Sequence, residues 1–207
     1  MTNVRVQPTT DAAENPRERM IQSALILMGE RGIEATSFSQ VIEHSGAPRG
    51  SIYHHFPGGK AQLVEEATRY AGDAVVNLMG DAVKRADDPA AALEAIVGFW
   101  RTVLYDSDFA AGCPVIAATL EGDHSPAARA AARDVFQRWE HLYTKLLVSA
   151  GLPEERARSL GSIAISAVEG AVILSRAEHS NAPLERVADE LHRLFQGALE
   201  DARTASP

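Results

Sequence analysis

Helix punctuation recurs along the whole chain, and no segment offers a convincing strand alternation between turn signals. Run after run of periodic apolar residues opens at a helix starter and closes at a helix stopper. In "NPRERMIQSALILMGERG", Asn15 is a cap, Pro16 takes the first helical position and Gly32 ends the run. Met20, Ala24, Leu27 and Met28 form one apolar stripe, which Ile21, Leu25 and Ile26 widen. "TSFSQVIEHSG" sets Ser37 as a cap with Gln40 three residues on, the capping-box spacing, and stops at Gly46. "APRGSIYHHF" opens at Pro48 and is stopped by Pro57. Three helices joined by very short turns therefore fill the first sixty residues.

The remaining helices are longer. One spans 60–86, closed by "DDP"; Asp88 and Pro89 cap and open the next, about 89–106. "DFAAGCP" is a break and "CPVIAATLEG" a short helix or turn segment. Ser125 and Pro126 start a helix to about 149, followed by helices over about 153–179 and, from Pro183, to about 203. The pattern predicts an all-α fold of about nine helices. A polar arm, 1–15, expected to be disordered, precedes a small three-helix unit, 16–59, and a larger helical bundle, 60–207.

Charge is distributed unevenly. The chain of 207 residues has a net charge of -8. Residues 1–70 hold 7 Lys and Arg against 8 Asp and Glu, a net of −1, whereas residues 71–207 hold 13 against 20, a net of −7. Local field rather than net charge governs phosphate binding, so the N-terminal unit is permitted to bind DNA although the whole chain is acidic. One cysteine excludes an intramolecular disulfide framework. No apolar N-terminal run reads as a signal peptide and no uncharged stretch approaches the ~20 residues of a membrane span, so a cytoplasmic protein without membrane contact is expected. No phosphate loop, G-x-S-x-G, H-E-x-x-H or Cys/His cluster is present, so neither an enzyme nor a cofactor is expected.

The most informative stretch is "RGSIYHHFPGGK", residues 49–60. Two short helices around the Gly-containing turn "SGAP" make a helix-turn-helix. Such a motif braces its first helix across the DNA backbone and presents the N-terminal residues of the second to base edges. On this reading the second helix begins with Arg49, Gly50 and Ser51: Arg can grip guanine with two hydrogen bonds, Gly lets the backbone approach, and Ser can bond a phosphate or a base. The adjacent His54 and His55 do not make a metal pair, because neighbouring positions on a helix point about 100° apart. His54 is expected to face DNA and His55 to pack or hydrogen-bond between helices. Ile52 and Phe56, one turn apart, are expected in the core with Val41 and Leu63 opposite.

"TSFSQVIEHSGAPRGSIYHHFPGGKAQLVEEA", residues 36–67, resembles the DNA-binding core of TetR-family (tetracycline-repressor-like) transcriptional regulators. The resemblance covers residues 16–67, and beyond them helix order and length. Two features depart from the usual pattern: "FPGGK" carries one extra residue before the lysine, and Ser45 and Ala47 replace Ala and Val. "FPGGK" together with "GCPV", 112–115, is similar to the branch containing lincomycin-resistance repressors. The resemblance implies that Ser37 caps the second helix and contacts phosphate, with Gln40 adding a backbone contact. It implies that Arg49 and Ser51 face the groove, that Tyr53 and His54 touch phosphates or a thymine methyl, and that Lys60 meets a phosphate at a helix start. It also implies a homodimer on a palindromic operator, formed by the last two helices. Apolar residues there (Ile165, Val168, Val172, Val187, Leu191, Leu194 and Phe195) suit a partner.

The bundle offers candidates for an apolar effector site. Phe99, Trp100 and Val103 share a broad face with Leu104, and Trp139 and Tyr143 lie one turn apart. Core packing is the plainer reading and holds for most of these residues. Cys113, with Ile116 nearby in the same short segment, reads as a quiet pocket-lining residue, because no Lys or Arg lies within ten residues to lower its pKa. Glu169, in the otherwise uncharged run 161–175, is a polar contact either in the pocket or at an interface. The expected function is a ligand-released repressor. A ligand-activated DNA binder, an activator, or a helical small-molecule-binding protein that does not bind DNA are the alternatives.

Overall fold

In a computed structural model, which describes residues 15–86, 90–121 and 125–205, the chain is all-helical. The helices are α1 (Pro16–Arg31), α2 (Phe38–Ser45), α3 (Ser51–His55), α4 (Gly59–Ala86), α5 (Ala90–Asp106), α6 (Pro114–Leu120), α7 (Pro126–Ser149), α8 (Glu154–Glu178) and α9 (Ala182–Ala205). The short segment after the break, which the sequence leaves as a helix or a turn, is a helix, α6. The polar arm before Asn15 and the Asp88–Pro89 start of α5 lie outside the described residues.

The chain divides into two compact units: Met1–Asp73 with Ala111–Val135, and Ala74–Ala110 with Phe136–Pro207. Sequence periodicity placed 111–135 with the large bundle; in the structure α6 and the first part of α7 belong with the N-terminal helices. Periodicity reports which face of a helix is apolar and not which neighbour covers it.

The first unit is organised on α1, which packs against α2, α3 and α6. Its apolar stripe is inside as the sequence requires, with Met20, Ala24 and Met28 fully buried and Leu27 nearly so. Asn15 caps the helix by accepting the N–H of Arg17 at 3.0 Å. At its other end, Gly29 lies so close to the chain before α6 that a Cβ there would stand 2.2 Å from the Gly112 carbonyl oxygen. Only glycine permits that approach.

In the second unit α8 packs on α9, and α5 packs on both. Val168, Val172, Leu191 and Phe195, which the sequence offered to a partner, are buried within this unit, and Ile165, Val187 and Leu194 are half-buried. The correction follows from α8 having two apolar faces. One is covered by the chain itself; the other exposes Ile163, Ile173 and Leu174. The same double-sidedness makes α8 long and apolar enough to satisfy the length and composition test for a membrane span. Gly161 lets α7 close on α8: a Cβ there would meet the Tyr143 Cβ at 3.2 Å and the Glu140 carbonyl at 3.3 Å.

Candidate nucleic-acid interface

α2 is an eight-residue helix fixed at both ends. The Gln40 N–H donates to Ser37 Oγ at 3.3 Å, and the Ser37 N–H donates to Gln40 Oε1 at 2.7 Å. This is the reciprocal capping box that the spacing predicts. Gly46 closes the helix in the left-handed conformation, φ 64° and ψ 18°. Val41 and Ile42 are buried under α2. On its exposed last turn, His44 Nδ1 lies 3.0 Å from the buried Ser23 Oγ of α1, tying α2 to its support.

α3 is only five residues long and has no side-chain cap. It starts at Ser51, so Arg49 and Gly50 stand in the turn before it rather than in its first helical turn. Pro48 explains the shift. Its carbonyl receives both the Ser51 N–H, at 3.0 Å, and the Ser51 hydroxyl, at 2.7 Å, which closes a tight turn over Arg49 and Gly50. Arg49 and Gly50 are exposed there and Ser51 is half-buried.

Five residues cannot hold a helix alone. α3 is held from beneath by Ile52 and Phe56, both 1% exposed, and Val41 and Leu63 of the same unit are equally buried. The Arg17 guanidinium sits 5.3 Å from the centre of the Phe56 ring and bonds Glu66 at 2.5 Å. On the opposite face Tyr53 is 69% exposed, and its ring meets Phe38 of α2 edge to face at 5.6 Å. His54 is exposed beside it, and half-buried His55 lies against His54 at 5.4 Å between ring centres.

The first unit thus presents Arg49, Tyr53 and His54 outward from a rigid base. Several other cations of the unit are engaged elsewhere. Arg17 is on Glu66, Arg19 donates to the Ser45 carbonyl at 3.2 Å, and Arg69 bridges Glu65 at 3.2 Å and Asp134 at 3.6 Å. The Lys60 ammonium, assigned by resemblance to a phosphate, donates to the Glu34 carbonyl at 3.3 Å. Gln40 spends its side-chain carbonyl on the capping box, which leaves its amide NH2 for a further contact.

The candidate effector residues divide between the units. Cys113, the N-cap of α6, and half-buried Ile116 are in the first. Phe99, Trp100, Val103, Trp139, Tyr143 and Glu169 are in the second. Trp100, Trp139, Tyr143 and Glu169 are buried, Val103 is half-buried and Phe99 is 41% exposed. Phe99 and Trp100 meet edge to face at 5.4 Å. Burial pushes the Tyr143 phenol well above its ordinary pKa, so it is a neutral donor. Among the described residues no group of three or more His, Cys, Asp or Glu could hold a metal ion.

Sequence reasoning missed Glu121, just past α6, whose carboxylate accepts the Glu34 N–H at 2.7 Å. No local pattern announces a bond between residues 87 positions apart.

Comparison with known proteins agrees with this geometry. Residues 20–67 match the family model described as bacterial regulatory proteins, tetR family, and residues 89–190 match the C-terminal domain of LmrA/YxaF-like transcriptional regulators. The chain is 40% identical over 194 residues to a helix-turn-helix-type transcriptional regulator of Mycobacterium tuberculosis, covering 91% of this chain and 98% of that one. It is 29% identical over 173 residues to the helix-turn-helix-type regulator LmrA of Bacillus subtilis, covering 83% and 92%. Among solved structures, a TetR transcriptional regulator from Chloroflexus aurantiacus superposes with a TM-score of 0.72 at 26% identity, covering 90% of this chain and 97% of that one. The regulatory protein TetR from Rhodobacter sphaeroides shares the fold, with a TM-score of 0.76 at 20% identity over 86% and 97% of the two chains.

Proposed function

Because this chain belongs to the TetR family of helix-turn-helix transcriptional regulators, we propose that it is a homodimeric repressor that leaves a palindromic operator when a small apolar effector binds. The observation that carries the reading is the build of α3. Arg49, Tyr53 and His54 are exposed above a buried Ile52–Phe56 underside, so a five-residue helix is presented rigidly to a groove. Arg49 reads a base, Ser51 and Tyr53 contact the backbone, and Ser37, Gln40 and His54 add contacts around them. One such helix gives too little contact for specific binding; two related by a two-fold axis supply it.

The two-fold partner is a second copy lying on the outward face of α8. Ile163, Ile173 and Leu174 are 43%, 56% and 51% exposed there. With Ser166, Gly170 and Ala177 between or beside them, they line one side of the helix at alternating three- and four-residue steps. The effector occupies the second unit, where Trp100, Trp139 and Tyr143 provide aromatic surface, and Tyr143 and Glu169 provide polar handles. An effector that binds better to a form with the recognition helices wrongly spaced shifts the population away from DNA. The cytoplasm, where the chromosome lies, is the place of action.

Sites selected from the protein's own genome, followed by gel shifts with titrated candidate effectors, test this reading. Inverted repeats should be recovered and should be released by effector. If effector tightens the complex instead, the chain is a ligand-activated binder. If neither Arg49→Ala nor Tyr53→Ala weakens binding, α3 is not the reading element. Leu174→Glu should convert a dimer into a monomer in sedimentation, and a variant that stays dimeric would move the interface off α8.

A further inference from the structure

We propose that Glu121 is a positioning residue for operator binding, acting through the backbone of the turn between α1 and α2. Glu121 caps α6, its N–H donating to the Ala117 carbonyl at 3.1 Å. Its carboxylate reaches the other way and accepts the Glu34 N–H at 2.7 Å. The carbonyl of the same residue, Glu34, receives the Lys60 ammonium from the first turn of α4 at 3.3 Å. One residue of the turn is therefore gripped on its N–H by α6 and on its C=O by α4.

The grip has been given room. Gly32 lies at φ +83°, where L side chains are rare, and a Cβ on it would stand 2.3 Å from Glu121 Oε1. Any side chain at 32 would push the carboxylate away. At the other end of α6, Gly29 of α1 lets the Gly112 carbonyl come so near that a Cβ is excluded. α6 thus meets α1 and its following turn at two points. A single point would leave α6 free to swivel; two fix its direction. From Glu34 the constraint passes along few bonds: Thr36 Oγ1 donates to the Gly32 carbonyl at 2.8 Å, and the next residue, Ser37, caps α2. The turn that Glu121 holds therefore sets where α2 starts, and α2 carries α3 through the Phe38–Tyr53 contact.

Two facts separate this role from a stabilising one. The bond is exposed, and exposed bonds contribute little to global stability, because water replaces them when they break. The bond joins separate elements, so losing it frees orientation rather than local structure. Operator half-sites punish orientation errors, since one added base pair moves a half-site by about 3.4 Å and about a tenth of a turn. The role in register rests on the two-half-site reading above.

The test uses the full chain and operators whose half-site spacing is changed one base pair at a time. The unmutated protein should show a sharp affinity peak at one spacing. Glu121→Ala should flatten that peak, lowering the ratio of preferred to neighbouring spacing by about threefold or more, with an unchanged unfolding midpoint. Glu121→Gln keeps a carbonyl acceptor and should restore most of the ratio. In hydrogen exchange, the Glu34 amide should open about tenfold faster in Glu121→Ala than in the unmutated protein. A preserved peak in Glu121→Ala, whatever its absolute affinity, overturns this role alone, as does an unchanged Glu34 amide. A flat profile in the unmutated protein overturns the two-half-site reading and the register role with it.

Discussion

The two units hold their shape by different means. The first is built of short elements whose ends are tied by individual hydrogen bonds: Ser37 with Gln40, Ser51 with Pro48, His44 with Ser23, and Glu121 with Glu34. In the second, α8 and α9 are 25 and 24 residues long and, with α5 and the last part of α7, adhere through apolar faces. One polar tie between its helices, the Arg101–Glu185 pair, lies at the exposed rim. The difference suits the tasks proposed for the two units. Reading a groove requires a five-residue helix in one place, and such a helix has no stability of its own. Accommodating an apolar effector requires apolar surface, which many sequences supply. A single bond is therefore worth most to function in the first unit, and a single apolar contact is spread over many neighbours in the second.

Removing the base of α3 should break the comparison most severely. Phe56→Ala deletes a side chain that is 1% exposed and supports the Arg17 guanidinium. Truncations of this kind cost about 3–5 kcal/mol. Urea unfolding should show that loss, with DNA binding abolished as α3 comes away. A loss below about 1 kcal/mol would mean that α3 is supported from elsewhere. Next in size, Arg49→Ala should weaken operator binding by about 1–3 kcal/mol while leaving stability within about 0.5 kcal/mol, because Arg49 is exposed in its turn. Binding that falls equally on specific and random DNA would make Arg49 a phosphate contact instead of a base reader.

Ser37→Ala measures what one cap is worth where helices are short. It removes the acceptor for the Gln40 N–H and half of the capping box, at a cost of about 0.5–2 kcal/mol. Since Ser37 also lies at the expected backbone contact, operator affinity should fall further than stability. Equal losses would leave Ser37 a cap only.

How far the sequence discloses the molecule follows the same division. Ser37 and Gln40 are legible because a capping box is a local spacing, and Ile52 and Phe56 because burial repeats every turn. Gly46 is legible because a left-handed cap favours glycine. Pro48 reads as a helix start, which puts Arg49 in the first turn of the second helix, whereas α3 begins at Ser51. The Ser51 hydroxyl competes for the Pro48 carbonyl, and periodicity does not register that competition. Glu121 and Gly29 were invisible as functional residues, since their partners are distant in the chain. The outward face of α8 was hidden by its inward one: a helix apolar on two sides gives no sign of which side the chain covers. The candidate effector residues were found as aromatics, and nothing in their spacing separated the two units they occupy.

The smallest expected effect tests the other side of the comparison. Arg101 Nε lies 2.6 Å from Glu185 Oε1 and its Nη2 lies 2.9 Å from Oε2, a two-pronged pair joining α5 to α9. Both side chains are 45% exposed, so solvent screening limits the pair to about 1 kcal/mol or less. The hydrogen bond from Arg101 lowers the Glu185 carboxyl below the ordinary glutamate range, and the same bond raises the Arg101 guanidinium above its own ordinary value. The lowered carboxyl contributes stability that is present above its unfolded pKa and is lost as pH falls through its folded one. The raised guanidinium contributes at every pH below its ordinary titration range and loses the contribution only in strong alkali. At neutral pH both contributions are therefore in place. Arg101→Ala removes the pair but spares the Arg101 carbonyl, which accepts from Asn181 Nδ2 at 3.3 Å. The stability gap between the unmutated protein and this variant should be largest near neutrality and should close as urea unfolding is repeated toward acid. A gap that stays constant would mean that the arginine acts through its apolar stem on α9, and that the rim of the second unit, like its interior, is held by surface burial.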